Sequence, residues 1–191
     1  MSQLVKEIQA AEEEILLGNV ILYPTDTVWG IGCDAENAEA VRKIFKIKER
    51  EESKAMILLV ADLEMLQHYI KPLPDRFEEL VEQQERPTTY VFSDPQNLPQ
   101  EVIAGDGTVA IRIVMNDEFC HRLIRQVARP IVSTSANISG EPAPKTFADI
   151  SDEIRKRVDF VVNWRQDDDM ASRPSRIVKI EPDGRQSIIR E

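Results

Sequence analysis

At 191 residues, with 42% hydrophobic and 30% charged side chains, the chain has the make-up of an ordinary globular protein that can bury one core. Its net charge of −10 opposes a broad grip on nucleic-acid phosphates, and no apolar run approaches the roughly 20 residues of a membrane span. Two cysteines, Cys33 and Cys120, are too few and too far apart for a disulfide framework or a zinc cluster; with no signal-peptide pattern at the N-terminus, a cytoplasmic protein without a membrane partner is expected.

In chain order, Ser2 is placed to cap a helix carrying Leu4, Val5, Ile8, Ala11, Ile15 and Leu16 on one side, with Gly18 as its stop. Residues 20–23 read as a strand, and Pro24 begins an irregular stretch. Asn37 caps a second helix with Val41, Ile44 and Phe45 on one face. A buried strand follows at 55–60, then a short helix opened by Asp62 and another begun by Pro74, with Phe77, Leu80 and Val81 inward. Residues 88–92 and 108–114 are strands, the second after the Gly105-Asp106-Gly107 turn. Asp117 caps a helix bearing Phe119, Leu123, Ile124 and Val127; a strand at 130–135 and a helix at 146–158 follow. Three short strands close the chain at 159–162, 176–180 and 187–190. Interleaved helices and strands without repeat or linker predict a single α/β domain over 1–191, a twisted mixed sheet flanked by helices.

The clearest site signal is the apolar strand that runs into Ser133-Thr134-Ser135-Ala136-Asn137 and closes on Gly140. Alternation puts Ser133 and Ser135 on one face and Thr134 on the other, while Ala136 and Gly140 keep the surroundings small enough for a ligand. Thr108, Ala110 and Arg112 share a strand face, so a hydroxyl and a guanidinium form a floor for an anion; the plainer alternative is a strand arginine paired with a surface acid. If residues 23–30 stay extended, Thr25 and Thr27 share a face and Asp26 takes the other. Between Arg42 and Lys54 six basic residues face three acids, and Lys48, Arg50 and Lys54 form a cationic loop between helix and strand, suited either to a polyphosphate or to a solvated helix end.

Other patterns carry less. Gly30-Ile31-Gly32-Cys33-Asp34-Ala35 matches a dinucleotide fingerprint, but the next helix begins only near Asn37, so no strand–turn–helix unit forms. Asp167-Asp168-Asp169 reads as a solvated acidic run, and His68 and His121 have no ligand partners at metal spacing, so no protein metal site is expected. With no evident nucleophile or base, the chemistry points to positioning and charge neutralisation.

Taken together, YPTDTVWGIGCDA, AVRKIFKIKER, SKAMILLV, TVAIRI, PIVSTSANISGEPAP and PSRIV resemble, in order, the YrdC-like family of threonylcarbamoyl-AMP synthases over nearly the whole chain. The resemblance implies a YrdC-like fold with a concave basic cavity, and synthesis of threonylcarbamoyl-AMP and pyrophosphate from L-threonine, bicarbonate and ATP with Mg2+. It implies a downstream transferase complex that uses the product to modify tRNA. It also implies that Thr27, Arg112, Ser133 and Ser175 contact threonine, and that Lys48, Arg50, Lys54, Thr108, Ser135, Asn137, Ala143 and Arg190 lie around ATP, with Lys48 and Arg50 catalytic. The chain departs from the family pattern at Glu85-Arg86-Pro87-Thr88-Thr89, where P-G-P-x-T is frequent, and at Arg176, where a small hydroxyl residue is usual. A function of a different class, a double-stranded RNA-binding or ribosome-maturation module on the same fold, with weak RNA contact, is opposed by the charge of −10.

Overall fold

In the computed structural model, which describes residues 1–50, 56–168, 173–181 and 183–191, one mixed sheet runs through the molecule in the order β7-β1-β2-β6-β3-β5-β4-β8-β9. Its strands are β1 (Ile21–Tyr23), β2 (Gly30–Gly32), β3 (Ile57–Val60), β4 (Thr88–Ser93), β5 (Thr108–Ile113), β6 (Ile131–Ser135), β7 (Phe160–Val161), β8 (Arg176–Ile180) and β9 (Gln186–Arg190). The helices are α1 (Gln3–Leu16), α2 (Ala38–Lys48), α3 (Leu63–Tyr69), α4 (Phe77–Glu82), α5 (Glu118–Val127) and α6 (Asp152–Arg157). β1/β7, β3/β5 and β4/β8 pair in parallel, and the remaining pairs are antiparallel.

The local rules of the sequence account for the helix starts. The side chains of Ser2, Asn37, Asp62 and Asp117 accept backbone N–H groups in the first turns of α1, α2, α3 and α5, as expected. Three expectations need correction. Pro74 lies ahead of α4, whose N-cap is Arg76, so it forms the preceding turn and not the helix. The helix expected at 146–158 contracts to Asp152–Arg157, because Asp149 accepts both the N–H and the hydroxyl of Thr146 (2.9 and 3.0 Å) and holds that stretch in a turn. Strand β2 was not foreseen, since Gly-Ile-Gly has little strand character; it forms because β1 and β6 flank it. A Cβ on Gly32 would stand 2.4 Å from the Val132 carbonyl oxygen, so only glycine admits this ladder. Gly30–Gly32 being strand, with the next helix at Ala38, the dinucleotide reading is ruled out here.

The strand side chains divide the core in two. On one face, Leu58, Tyr90, Phe92, Val109, Ile111 and Val132 meet Val41, Ile44 and Phe45 of α2, Leu66 of α3, Phe77 and Val81 of α4, and Ile154 of α6. On the other, Ile21, Tyr23, Leu59 and Ile131 meet Ile8, Ala11 and Ile15 of α1 and Phe119, Leu123 and Ile124 of α5. The helices of this second layer contact β1 and β3, while the same face of β4, β5 and β8 borders a cavity. The site therefore stands where the second helical layer stops.

Candidate active site

The cavity holds about 730 Å³, within the usual range for a small-molecule site. Its floor follows from strand register: Ser133, Ile57, Ala110, Val91 and Lys179 are successive cross-strand partners on β6, β3, β5, β4 and β8. The row beside it runs Arg112, Thr89, Ile177, Arg190. As the alternation of β5 requires, Thr108, Ala110 and Arg112 face the cavity while Val109, Ile111 and Ile113 enter the opposite core. Ser133 and Ser135 both border it, and so does Thr134 where β6 runs out, although alternation assigns it to the other face.

At the inner end, Arg112 is 2% exposed. Its Nη1 donates to Thr27 Oγ1 (3.2 Å) and lies 2.8 Å from Asp26 Oδ1, while Nε is buried without a partner. Arg112 does pair with an acid, as the plainer alternative has it, but that acid, Asp26, is half-buried and Arg112 also lines the cavity. Residues 24–29 do not stay extended: Thr25 Oγ1 accepts the Thr27 N–H (3.0 Å), donates to the Val28 carbonyl (2.7 Å) and lies 3.0 Å from Thr27 Oγ1. This tight turn is why Asp26 and Thr27, expected on opposite faces, both reach Arg112. Burial raises the Asp26 carboxyl above its ordinary range; Arg112 works in the opposite direction, and Asp117 adds to the rise.

At the α2 end, the expected cationic loop takes a different form. Lys48 belongs to the last turn of α2, is 2% exposed and does not border the cavity. Its ammonium donates to the backbone carbonyls of Ser135 and Asn137, the latter at 2.6 Å. Burial, aided by Arg50, pushes Lys48 down to about 8. Arg50 lines the cavity, and burial lowers its guanidinium too. Lys54 lies outside the described residues. Asn137 stands behind the wall, its amide donating to the carbonyls of Ile138 and Glu141 (3.0 and 2.7 Å), with Oδ1 buried and unpartnered. Ala136 is buried in the core, and Gly140 has open space where a Cβ would go; a φ of +91° is what requires glycine there. Ala143 does border the cavity.

The far wall comes from β8 and β9. Ser175 Oγ is 2.8 Å from Thr89 Oγ1, and its carbonyl accepts from Nε and Nη2 of Arg190 (3.1 and 2.7 Å). Ile177 pairs with Arg190 and Val178 with Ile188, so Ile189 is the extra residue of a β-bulge, and both Ile189 and Arg190 line the cavity. Asp106, Lys179 and Ile189 also line it and were missed by sequence reasoning. The Gly-Asp-Gly turn was the available signal for Asp106; a bulge leaves none for Ile189. His68 and His121 lie on α3 and α5, and no group of three or more His, Cys, Asp or Glu converges on a metal position among the described residues. Asp168 instead pairs with Arg165 (2.6 Å), and Asp169 lies outside the described residues.

A family model named for Sua5, YciO and YrdC, with the description "Telomere recombination", matches residues 13–191. The threonylcarbamoyl-AMP synthase of Pseudomonas fluorescens Pf-5 is 34% identical over 157 residues, covering 82% of this chain and 84% of that relative. That of Marinobacter nauticus is 32% identical over 176 residues, 91% of each chain. The crystal structure of P. abyssi Sua5 complexed with L-threonine superposes with a TM-score of 0.79 at 28% identity, covering 90% of this chain and 50% of that one. E. coli YciO superposes at 0.82 over the whole chain and 91% of its own, at 22% identity, which speaks to fold alone. Among the described residues, no helix is long and apolar enough to cross a membrane.

Proposed function

The chain belongs to the Sua5/YciO/YrdC family, and from that premise we propose that it is an enzyme, a threonylcarbamoyl-AMP synthase that acts as a nucleotidyltransferase on L-threonine, bicarbonate and ATP. One observation carries the reading. A single cavity joins the Arg112 guanidinium, beside Thr27 and Ser133, to a separate rim with Arg50 and Arg190. The first suits an amino-acid carboxylate and the second a polyphosphate.

In this reading Arg112, Thr27 and Ser133 hold the threonine carboxylate and hydroxyl, with Ser175 closing the far side. The threonine nitrogen forms a bond to the bicarbonate carbon with loss of water. A carbamate oxygen then attacks the α-phosphorus of ATP, and the bond to the β-phosphate oxygen breaks to release pyrophosphate. Arg50 and Arg190 offset the phosphate charge, Ser135 offers a hydroxyl, Thr108 donates its own to Asp106 (2.7 Å) and so orients that carboxylate beside the nucleotide, and the backbone around Ala143 borders the nucleotide. Lys48 acts from behind the wall by holding the carbonyls of Ser135 and Asn137. Mg2+ carried in with ATP would offset charge on the pyrophosphate. Among the described residues Asp106 is the carboxylate on the lining, and it would be the side chain to hold the ion. No strong protein base is demanded, since orientation and electrostatics can lower such a barrier. The product then serves a separate transferase that modifies tRNA.

Pyrophosphate release from ATP and Mg2+, measured with and without L-threonine and bicarbonate, tests the reading. Release that requires both supports it; ATP binding without threonine-dependent release would overturn it.

A further inference from the structure

A guanidinium as buried as Arg112 is costly unless a counter-charge and hydrogen bonds compensate it. The described residues compensate one corner. Nη1 meets Asp26 at 2.8 Å and Thr27 at 3.2 Å, while Nε is buried without a partner. Arg112 itself lines the cavity, so the charge that one carboxylate leaves under-compensated is available to an anionic group of a ligand there. Asp26 is not among the residues that line the cavity, although Arg112 and Thr27 are. Its carboxylate therefore holds the arginine from outside the lining.

We propose that Asp26 is a positioning residue for the substrate carboxylate: by its charge it pins Nη1 of Arg112 and so fixes the guanidinium for the carboxylate of the bound amino acid. The inference rests on the reading that the cavity takes L-threonine. A neutral hydroxyl at 3.2 Å is too weak a tether to hold a flexible arginine alone, whereas an ion pair in this half-buried place is screened little by water. The turn built by Thr25 sets the geometry, since it brings residues 26 and 27 to the same guanidinium. The titratable and charged groups around Asp26 are Arg112 on β5 and Asp117 and Cys120 at the start of α5, and Asp117 is itself paired with Arg165 at 2.8 Å. Arg112 is thus the cation that Asp26 serves.

The experiment is calorimetric titration of L-threonine, L-threoninamide and ATP into the wild-type protein, Asp26→Asn and Asp26→Glu, over a range of pH. For Asp26→Asn the dissociation constant of L-threonine is expected to rise about 10- to 100-fold, with ATP binding within about twofold of wild type. Asp26→Glu recovers part of the loss. In the wild type, threonine affinity falls as the pH drops through the raised Asp26 carboxyl. That acid limb is absent in Asp26→Asn and for L-threoninamide, which lacks the carboxylate. A merely structural Asp26 would weaken both ligands together and leave the limb in place. Unchanged or tighter threonine binding by Asp26→Asn overturns the proposal; if that variant does not fold, a pH-independent wild-type affinity does so. Failure of the wild type to bind L-threonine at all overturns the threonine reading itself, and the Asp26 proposal with it.

Discussion

The two ends of the cavity treat a buried cation in opposite ways. At the inner end Arg112, 2% exposed, spends one corner on Asp26 and Thr27 and keeps its Nε without a partner. At the α2 end Lys48, equally buried, donates to the carbonyls of Ser135 and Asn137 behind the wall, and Arg50 borders the cavity in its place. Burial alone thus says little about function. A buried cation that lines a cavity is placed for a ligand, and one withdrawn from it and held by backbone carbonyls is part of the frame.

The sharpest way to break this comparison is to substitute both cations. Arg112→Gln should lower kcat/KM for L-threonine by about 10²–10³-fold, the scale of losing one preorganised charge contact, while ATP binding persists. Steady-state pyrophosphate release with each substrate varied measures it. Lys48→Met should act first on stability, because it removes the ammonium from the half-buried carbonyls of Ser135 and Asn137, of which that of Ser135 keeps only the Asn137 N–H (2.9 Å). A loss of about 1–3 kcal/mol is expected in a denaturant titration, together with weaker ATP binding and little change in threonine affinity. If Lys48→Met instead abolishes turnover without loss of stability, Lys48 touches substrate and the contrast collapses.

A smaller effect separates the rim from the inner end. Arg50→Ala should raise KM for ATP about tenfold, the scale of one hydrogen bond to a charged group, and leave threonine binding unchanged by titration. The smallest effect is one of pH. Lys48 carries its proton below about 8 and loses it above, so the anchoring charge fades as pH rises through that value. Wild-type turnover should fall by about half across that step, and Lys48→Met should lack the decline in a pH–rate profile.

Much of the fold was legible from local rules. The caps at Ser2, Asn37, Asp62 and Asp117 mark helix starts because a single side chain meets a backbone donor within the next few residues. The shared face of Thr108, Ala110 and Arg112 follows from strand alternation. What local rules could not give depends on partners far along the chain. β2 exists because β1 and β6 enclose a segment too small to specify a strand itself, and Lys48 is withdrawn from the cavity by carbonyls 87 and 89 residues away.

The α/β interleaving, the helix caps and the stretches from which the cavity draws its hydroxyls and guanidinium groups are all written in the chain, because period and capping act over a few residues. Contacts between distant segments put Asp26 against Arg112, withdraw Lys48 from the cavity lining, and bring Ile189 and Arg190 to the same wall through a bulge. Each of these depends on which distant groups meet where the second helical layer ends, and a buried charge is settled by the partners that it finds there.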